Sequence, residues 1–181
     1  MRIGVTIGLG LTAVLAVPAV SGPPKAAETT YVDPTYGYSV TYPASWQFKP
    51  PNADGRIFMT SPLEGPQDNF KENVNFVLKK FGDPSFELRG KCADFMGNFA
   101  QQYEAYKAGQ CADVTWNGVN AMRADYSFDK TDNGTTRRIH ALQTFAIKND
   151  YLYIVTLTAI ESTYPRYLPI ANKVIASIKI P

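Results

Sequence analysis

Histidine and cysteine are scarce in this chain: its 181 residues include one histidine, His140, and two cysteines, Cys92 and Cys111. This supply is too small for the common structural zinc sites, which take four Cys and His side chains at short spacings. The sequence also lacks the GxSxG, P-loop, HExxH and GxGxxG motifs of common catalytic and nucleotide-binding sites. We therefore predict that the protein is not an enzyme.

An excess of charge of one sign is missing as well. The chain has 18 Lys and Arg against 16 Asp and Glu, a net charge of +2. Its adjacent basic residues, such as Lys79-Lys80 and Arg137-Arg138, form isolated pairs rather than a patch. Nucleic-acid binding needs clustered positive charge, so we predict no nucleic-acid partner.

Long apolar runs are absent except at the N-terminus, where residues 3–20 follow Arg2. Small residues, Ala19 and Ser21, stand at the two positions that a signal peptidase reads. We predict a cleaved signal peptide over residues 1–21, a flexible lead-in over 22–30 and one domain over 31–181. The alternative is an uncleaved anchor, since the run is about long enough to span a bilayer. The mature chain is then expected in the periplasm, the thylakoid lumen or the extracellular space, without a transmembrane segment.

Export permits a disulfide between Cys92 and Cys111. A single helix joining them would hold the two residues nearly 30 Å apart, at about 1.5 Å per residue. A disulfide requires Cα atoms within about 7 Å, so the chain must fold back between them, and Ala108-Gly109 offers a place. The alternative is two free, buried cysteines.

Alternating and helical apolar patterns predict an α+β domain. Ser85 is the expected N-cap of a helix that ends near Tyr103 or Tyr106, and a second helix is expected to begin near Pro169. Strands are expected at residues 38–42, 56–61, 73–80, 111–115, 120–128, 135–147 and 151–159.

The last two strands are apolar on both faces, so both faces need cover. Short links between strands indicate antiparallel pairing. We therefore predict a three-layer αβα sandwich with a central antiparallel sheet between the two helices.

A candidate metal site lies at the final hairpin. If Asn149-Asp150 is a two-residue loop, His140 faces Ala159, and Glu161 is its diagonal neighbour on the same face, about 7–8 Å away. An imidazole and a carboxylate can hold a divalent cation, although protein sites usually have three or four ligands. A three-residue loop would separate the pair. The alternative role is a simple His–Glu hydrogen bond.

The chain resembles the PsbP family, which comprises extrinsic photosystem II proteins of the thylakoid lumen and bacterial relatives. The resemblance spans nearly all of residues 31–180 and rests on several short segments in order. These are Gly37-Tyr38-Ser39-Val40, Pro43-Ala44-Ser45-Trp46, Asp68-Asn69-Phe70, Asn73-Val74-Asn75, His140, Asn149-Asp150, Leu152-Tyr153-Ile154, Glu161 and Val174-Ile175-Ala176-Ser177-Ile178.

The resemblance implies the Mog1/PsbP-like αβα fold. It also implies that a divalent metal (Mn, Zn or Ca) binds at His140 and Glu161, where plant members have a histidine and an aspartate. The long basic N-terminal segment of those members is not expected in this chain.

We accordingly expect an exported, non-enzymatic, monomeric protein that binds a membrane protein complex at its lumenal or periplasmic face. In a photosynthetic host this would be a role like that of the oxygen-evolving-complex subunits. The alternative is a carrier for a small apolar ligand, in a pocket lined by Phe95, Phe99 and Trp116. A hydrolase with a spatially assembled triad ranks last.

Overall fold

A computed structural model describes residues 27–52, 55–83 and 86–181. The predicted signal peptide, residues 1–21, lies outside the described residues, as do residues 22–26 of the predicted lead-in. The elements in chain order are β1 (Glu28–Val32), β2 (Ser39–Pro43), β3 (Gln47–Lys49), β4 (Arg56–Thr60), β5 (Asn73–Lys80), α1 (Cys92–Gln102), β6 (Glu104–Trp116), β7 (Val119–Asp132), β8 (Thr135–Lys148), β9 (Tyr151–Ile160) and α2 (Tyr164–Ser177).

Within the described residues, seven strands form one antiparallel sheet in the order β3-β4-β5-β9-β8-β7-β6, and β1 and β2 form a separate two-stranded ribbon. The ribbon corrects the predicted lead-in, because residues 28–30 already pair with β2 instead of being flexible. The described elements combine a large antiparallel sheet with two helices. The predicted α+β sandwich with a central antiparallel sheet is therefore confirmed.

The two faces of the sheet carry different layers. One face, here called the α2 face, packs the alternate β5 residues Val74, Phe76 and Leu78 into a core shared with α2 and β2. The opposite α1 face packs Met122 and Phe145 against residues of α1. Because side chains alternate along a strand, the apolar pattern on both faces of β8 and β9 is explained by these two layers.

Helix α1 is shorter than predicted. It begins at Cys92, because Gly90 has a positive φ of +75° that interrupts a right-handed helix. The predicted N-cap, Ser85, lies outside the described residues. The helix ends at Gln102, and the chain reverses through Ala105 (φ 48°), so Tyr106 lies on β6 and the reversal does not occur at Ala108-Gly109.

This reversal joins the two cysteines. Cys92 opens α1, Cys111 lies on β6, and the two form a disulfide with their Cα atoms 5.6 Å apart. The guanidinium of Arg138, on β8, donates a hydrogen bond of 2.6 Å to the Ala105 carbonyl. This hydrogen bond fixes the connection between α1 and β6.

Helix α2 is longer than predicted, beginning at Tyr164 rather than near Pro169. Pro165 stands in the first turn, where a helix needs no backbone N–H donor. Pro169 is tolerated inside the helix at the loss of one hydrogen bond, because Tyr167, Ala171 and Val174 bury the apolar side of the helix on the sheet. No helix among the described residues is long and apolar enough to span a membrane.

Candidate functional site

The site is centred on His140, which lies on β8 and points to the α2 face near the end of the sheet. Asn149 and Asp150 form a two-residue loop with positive φ, and His140 pairs with Ala159 across β8 and β9. The chain continues past the end of β9 to Glu161, whose backbone N–H donates to the Arg138 carbonyl at 2.9 Å. The two-residue loop therefore sets the strand register that brings Glu161 to the imidazole.

Both imidazole nitrogens face carboxylates. His140 Nδ1 is 3.3 Å from Glu161 Oε2, and His140 Nε2 is 3.3 Å from Asp125 Oδ2. The ring is largely buried, with 20% of its side-chain area exposed, whereas Glu161 is 47% exposed. Asp125 comes from β7, the strand on the other side of β8. We call these three residues, together with Tyr164 at the start of α2, the His140 cluster.

Tyr164, the first residue of α2, completes the cluster by stacking on the imidazole. The two ring centroids are 3.7 Å apart and the planes are inclined by 12°. Burial, and then the negative charge of Asp125, raise the pKa of the Tyr164 hydroxyl to about 12, although Arg123 acts in the opposite direction. The phenol is therefore neutral over the physiological range, and it contributes a flat aromatic surface and no charge.

A bulge in β6 holds Asp125 in place. The register between β6 and β7 shifts between Ala108 and Cys111, and there Gln110 N–H donates to Asp125 Oδ1 at 3.0 Å. A Cβ on Gly109 would lie 1.7 Å from Asp125 Oδ1 and 2.7 Å from the Asp125 carbonyl oxygen. Only glycine permits this close approach.

The arrangement limits what the cluster can bind. Ionised carboxylates only accept hydrogen bonds, so a doubly protonated imidazole satisfies both of them at once. A metal ion could contact Nδ1 and Glu161, but Asp125 lies at the opposite nitrogen and cannot reach the same ion. Among the described residues, no three His, Cys, Asp or Glu side chains converge as a metal-ion site.

The residues predicted for an apolar ligand pocket do not come together. Phe95 and Phe99 pack with Phe145 on the α1 face. Trp116 lies in the core of the α2 face and donates through its indole N–H to the Ile175 carbonyl at 2.9 Å. The predicted pocket was wrong, because α1 and the end of β6 direct these aromatics to opposite faces of the sheet.

Sequence reasoning found His140 and Glu161 but missed Asp125 and Tyr164. Asp125 was missed because the predicted strands end at residue 128 and begin again at residue 135, which hides the register between them. In the structure β7 continues to Asp132, Asn133-Gly134 is a two-residue loop, and Ser127 faces His140. Tyr164 was missed because Pro165 and Pro169 made a helix at this position look unfavourable.

Comparison with known proteins then identifies the family. The PsbP family model matches residues 27–180. The chain belongs to the PsbP family. No curated protein sequence matches this PsbP-family chain.

Solved structures show the same fold at low sequence identity. Cyanobacterial PsbP (CyanoP) from Synechocystis sp. PCC 6803 is 16% identical, with a TM-score of 0.64 over 90% of this chain and 98% of that chain. PA94, a protein of unknown function from Pseudomonas aeruginosa, is 18% identical, with a TM-score of 0.60 over 85% and 96%. LpqN of Mycobacterium tuberculosis, involved in cell envelope biogenesis, is 16% identical, with a TM-score of 0.59 over 86% and 91%. None of these comparisons indicates a catalytic family.

Proposed function

We propose that this PsbP-family chain is an exported, non-enzymatic protein that binds a membrane protein complex from its lumenal or periplasmic side. The family match over residues 27–180 carries the proposal. The N-terminal apolar run with its small-residue exit supports export. In a photosynthetic host, the complex would be photosystem II.

The His140 cluster is the surface that we propose for partner binding. It combines the half-exposed Glu161 carboxylate with a partly exposed imidazole that stacks on the buried Tyr164 ring. It adjoins a cavity of about 310 Å³ that Asp125, Arg123 and Tyr164 help to line. Polar, solvent-accessible groups are typical of the rim of protein interfaces.

Membrane fractionation of the host tests the proposal. The protein is expected on the outer side of the membrane fraction and to be released by a high-salt wash without detergent, as an extrinsic protein held by polar contacts would be. A protein found only in the cytoplasm, or free in the exported soluble fraction under all salt conditions, would contradict it.

Divalent metal binding at His140 and Glu161 is a narrower proposal with a limited donor set. One nitrogen and one carboxylate suit Zn²⁺ or Mn²⁺ better than Ca²⁺, which prefers oxygen ligands. With two protein donors, water would fill the other coordination positions, and the affinity would be low.

Calorimetric titration with ZnCl₂ and MnCl₂ distinguishes metal binding at the His140 cluster from a cluster that is only hydrogen-bonded. We expect weak binding that His140→Gln and Glu161→Gln abolish and that Asp125→Asn retains, because Asp125 faces the other ring nitrogen. Equal binding by the wild type and His140→Gln would show that the cluster is only hydrogen-bonded.

An apolar carrier function has one specific observation in its favour. A cavity of about 260 Å³ lies between β2 and α2, and its lining includes Tyr42, Trp46, Ile170 and Val174. Mass spectrometry of organic extracts of the purified protein tests this second candidate. A stoichiometric co-purified lipid that is excluded by Ile170→Trp, a change at a partly buried lining residue, would support it. Absence of a co-purified lipid would contradict it.

A further inference from the structure

The described residues cover the α1 face of the sheet only in part. Helix α1 spans eleven residues, about 16 Å, and it ends at its C-cap, Tyr103. Beyond this point the face forms an open groove of about 510 Å³ across β4, β5, β9, β8 and β7. We call it the α1-face groove, and its volume lies within the range of small-molecule sites.

The floor of the groove carries uncharged hydrogen-bonding side chains in cross-strand register. Gln143 on β8 pairs with Thr156 on β9, which pairs in turn with Asn75 on β5. Asn73 and Thr158 form the next polar pair along the same face. A sheet face that is buried under a helix carries apolar residues. The next row of cross-strand neighbours, which includes Phe145 and Val77, is apolar in this way.

Internal hydrogen bonds orient this floor. The buried Tyr126 hydroxyl donates to Gln143 Oε1 at 3.2 Å, and Gln143 Nε2 donates to Thr156 Oγ1 at 3.0 Å. The Gln143 acceptor oxygen is thereby engaged, while its second N–H and the Thr156 O–H remain donors. The floor therefore presents donors to an oxygen-rich ligand.

The walls of the groove are aromatic and cationic. Tyr103 stacks on Phe128 with centroids 4.1 Å apart, and both line one side of the groove. Arg56 and Lys79 lie at the other side and Lys130 at a further corner, whereas no Asp or Glu is among the described residues that line it. Arg56 Nε is buried without a hydrogen-bond partner among the described residues. An orphaned buried donor calls for a partner that an anion would supply.

We infer that the α1-face groove binds an anionic saccharide, a sugar ring bearing a carboxylate or a phosphate. The aromatic wall matches the flat apolar side of the ring, the amides and hydroxyls of the floor match its hydroxyl groups, and Arg56 and Lys79 match the anion. This site is on the opposite side of the sheet from the His140 cluster and does not depend on the proposed partner binding.

Titration of the ¹⁵N-labelled protein with galacturonic acid, glucose 6-phosphate and glucose tests the inference by NMR. The two acidic sugars should give saturable shifts at β4, β5, β8 and β9 amides that line the groove, with glucose binding at least about tenfold more weakly, which corresponds to about 1.4 kcal/mol. The preferred acid reports whether the site takes a carboxylate or a phosphate. Raising the salt concentration should weaken both acids.

Variants make the test specific. Lys79→Gln, a change of an exposed side chain, and Thr156→Val, which keeps the side-chain shape, should each lower the affinity several-fold, and Arg56→Gln about tenfold. Lys173→Gln on α2 is the matched control and should change nothing. The inference is overturned by shifts that map elsewhere, by equal binding of glucose and the acids, by equal effects of Lys79→Gln and Lys173→Gln, or by no saturable shift at about 20 mM ligand, well above a millimolar Kd.

Discussion

At the scale of single residues, Gly109 determines whether the His140 cluster can form. Its missing Cβ leaves room for the Asp125 side chain and carbonyl, which lie against the β6 bulge. We predict that Gly109→Ala lowers the free energy of unfolding by about 1–3 kcal/mol, as overpacking does. The Asp125 carboxylate should also move away from His140, which the NMR signals of the imidazole would report.

Gly97 in α1 provides the matched control for this change. A Cβ at Gly97 meets nothing within 4 Å, and alanine is the better helix former, so Gly97→Ala should raise the free energy of unfolding by about 1 kcal/mol. Urea denaturation of both variants checks the pair. Equal behaviour of the two would show that the contact between Gly109 and Asp125 does not constrain the site.

Asp68 stabilises the loop between β4 and β5. Its carboxylate accepts the backbone N–H of Glu64 at 2.7 Å and of Phe70 at 3.0 Å. These hydrogen bonds lower its pKa. Because the folded pKa lies below the unfolded one, the stabilisation is complete above the unfolded value, near 4, and is lost as the pH falls through the folded pKa.

Asp68→Asn should therefore be less stable than the wild type at pH 7, with the difference shrinking below about pH 4. Urea midpoints measured at pH 7 and at pH 3 check this expectation. A difference that grows toward acid pH would mean that the hydrogen bonds do not favour the ionised form of Asp68.

At the scale of elements, the disulfide ties the start of α1 to the middle of β6. Cys92 and Cys111 are 19 residues apart in sequence, and closing a loop of this size stabilises a protein by about 3 kcal/mol. Reduction, or the Cys92→Ser/Cys111→Ser variant, should lower the free energy of unfolding by a similar amount. An unchanged urea midpoint after reduction would contradict this expectation.

The two hairpins of the site show how far sequence predicts it. At β8 and β9, Asn149-Asp150 stood out between apolar strands, so the register of His140 and Glu161 could be worked out. Counting residues back from a two-residue loop at Asn133-Gly134 would likewise have placed Asp125 beside His140. The polar residues around this turn concealed how far β7 and β8 extend. A polar strand end outside the core carries no periodic signal.

At the scale of the whole molecule, the sandwich was predictable because both faces of β8 and β9 are apolar. The extent of each covering layer was not. Helix α1 begins only after Gly90, because Gly90 adopts a positive φ. The α1-face groove lies open because the helix ends at Gln102. The N-terminus of α2 was equally hidden, since it depends on how Tyr164 and Tyr167 pack and not on local propensity.

The central claim is that this PsbP-family protein works by binding a membrane complex through the His140 cluster. Native gel electrophoresis of gently solubilised host membranes, comparing the wild type with Glu161→Gln, tests it most directly. Glu161 is about half exposed, so this variant should fold normally, and Lys173→Gln on the outside of α2 serves as the control. We predict that the wild type and Lys173→Gln migrate with a large complex, whereas most of Glu161→Gln migrates as the free protein. A wild type that never enters a complex, or a Glu161→Gln variant that enters it equally well, would contradict the claim.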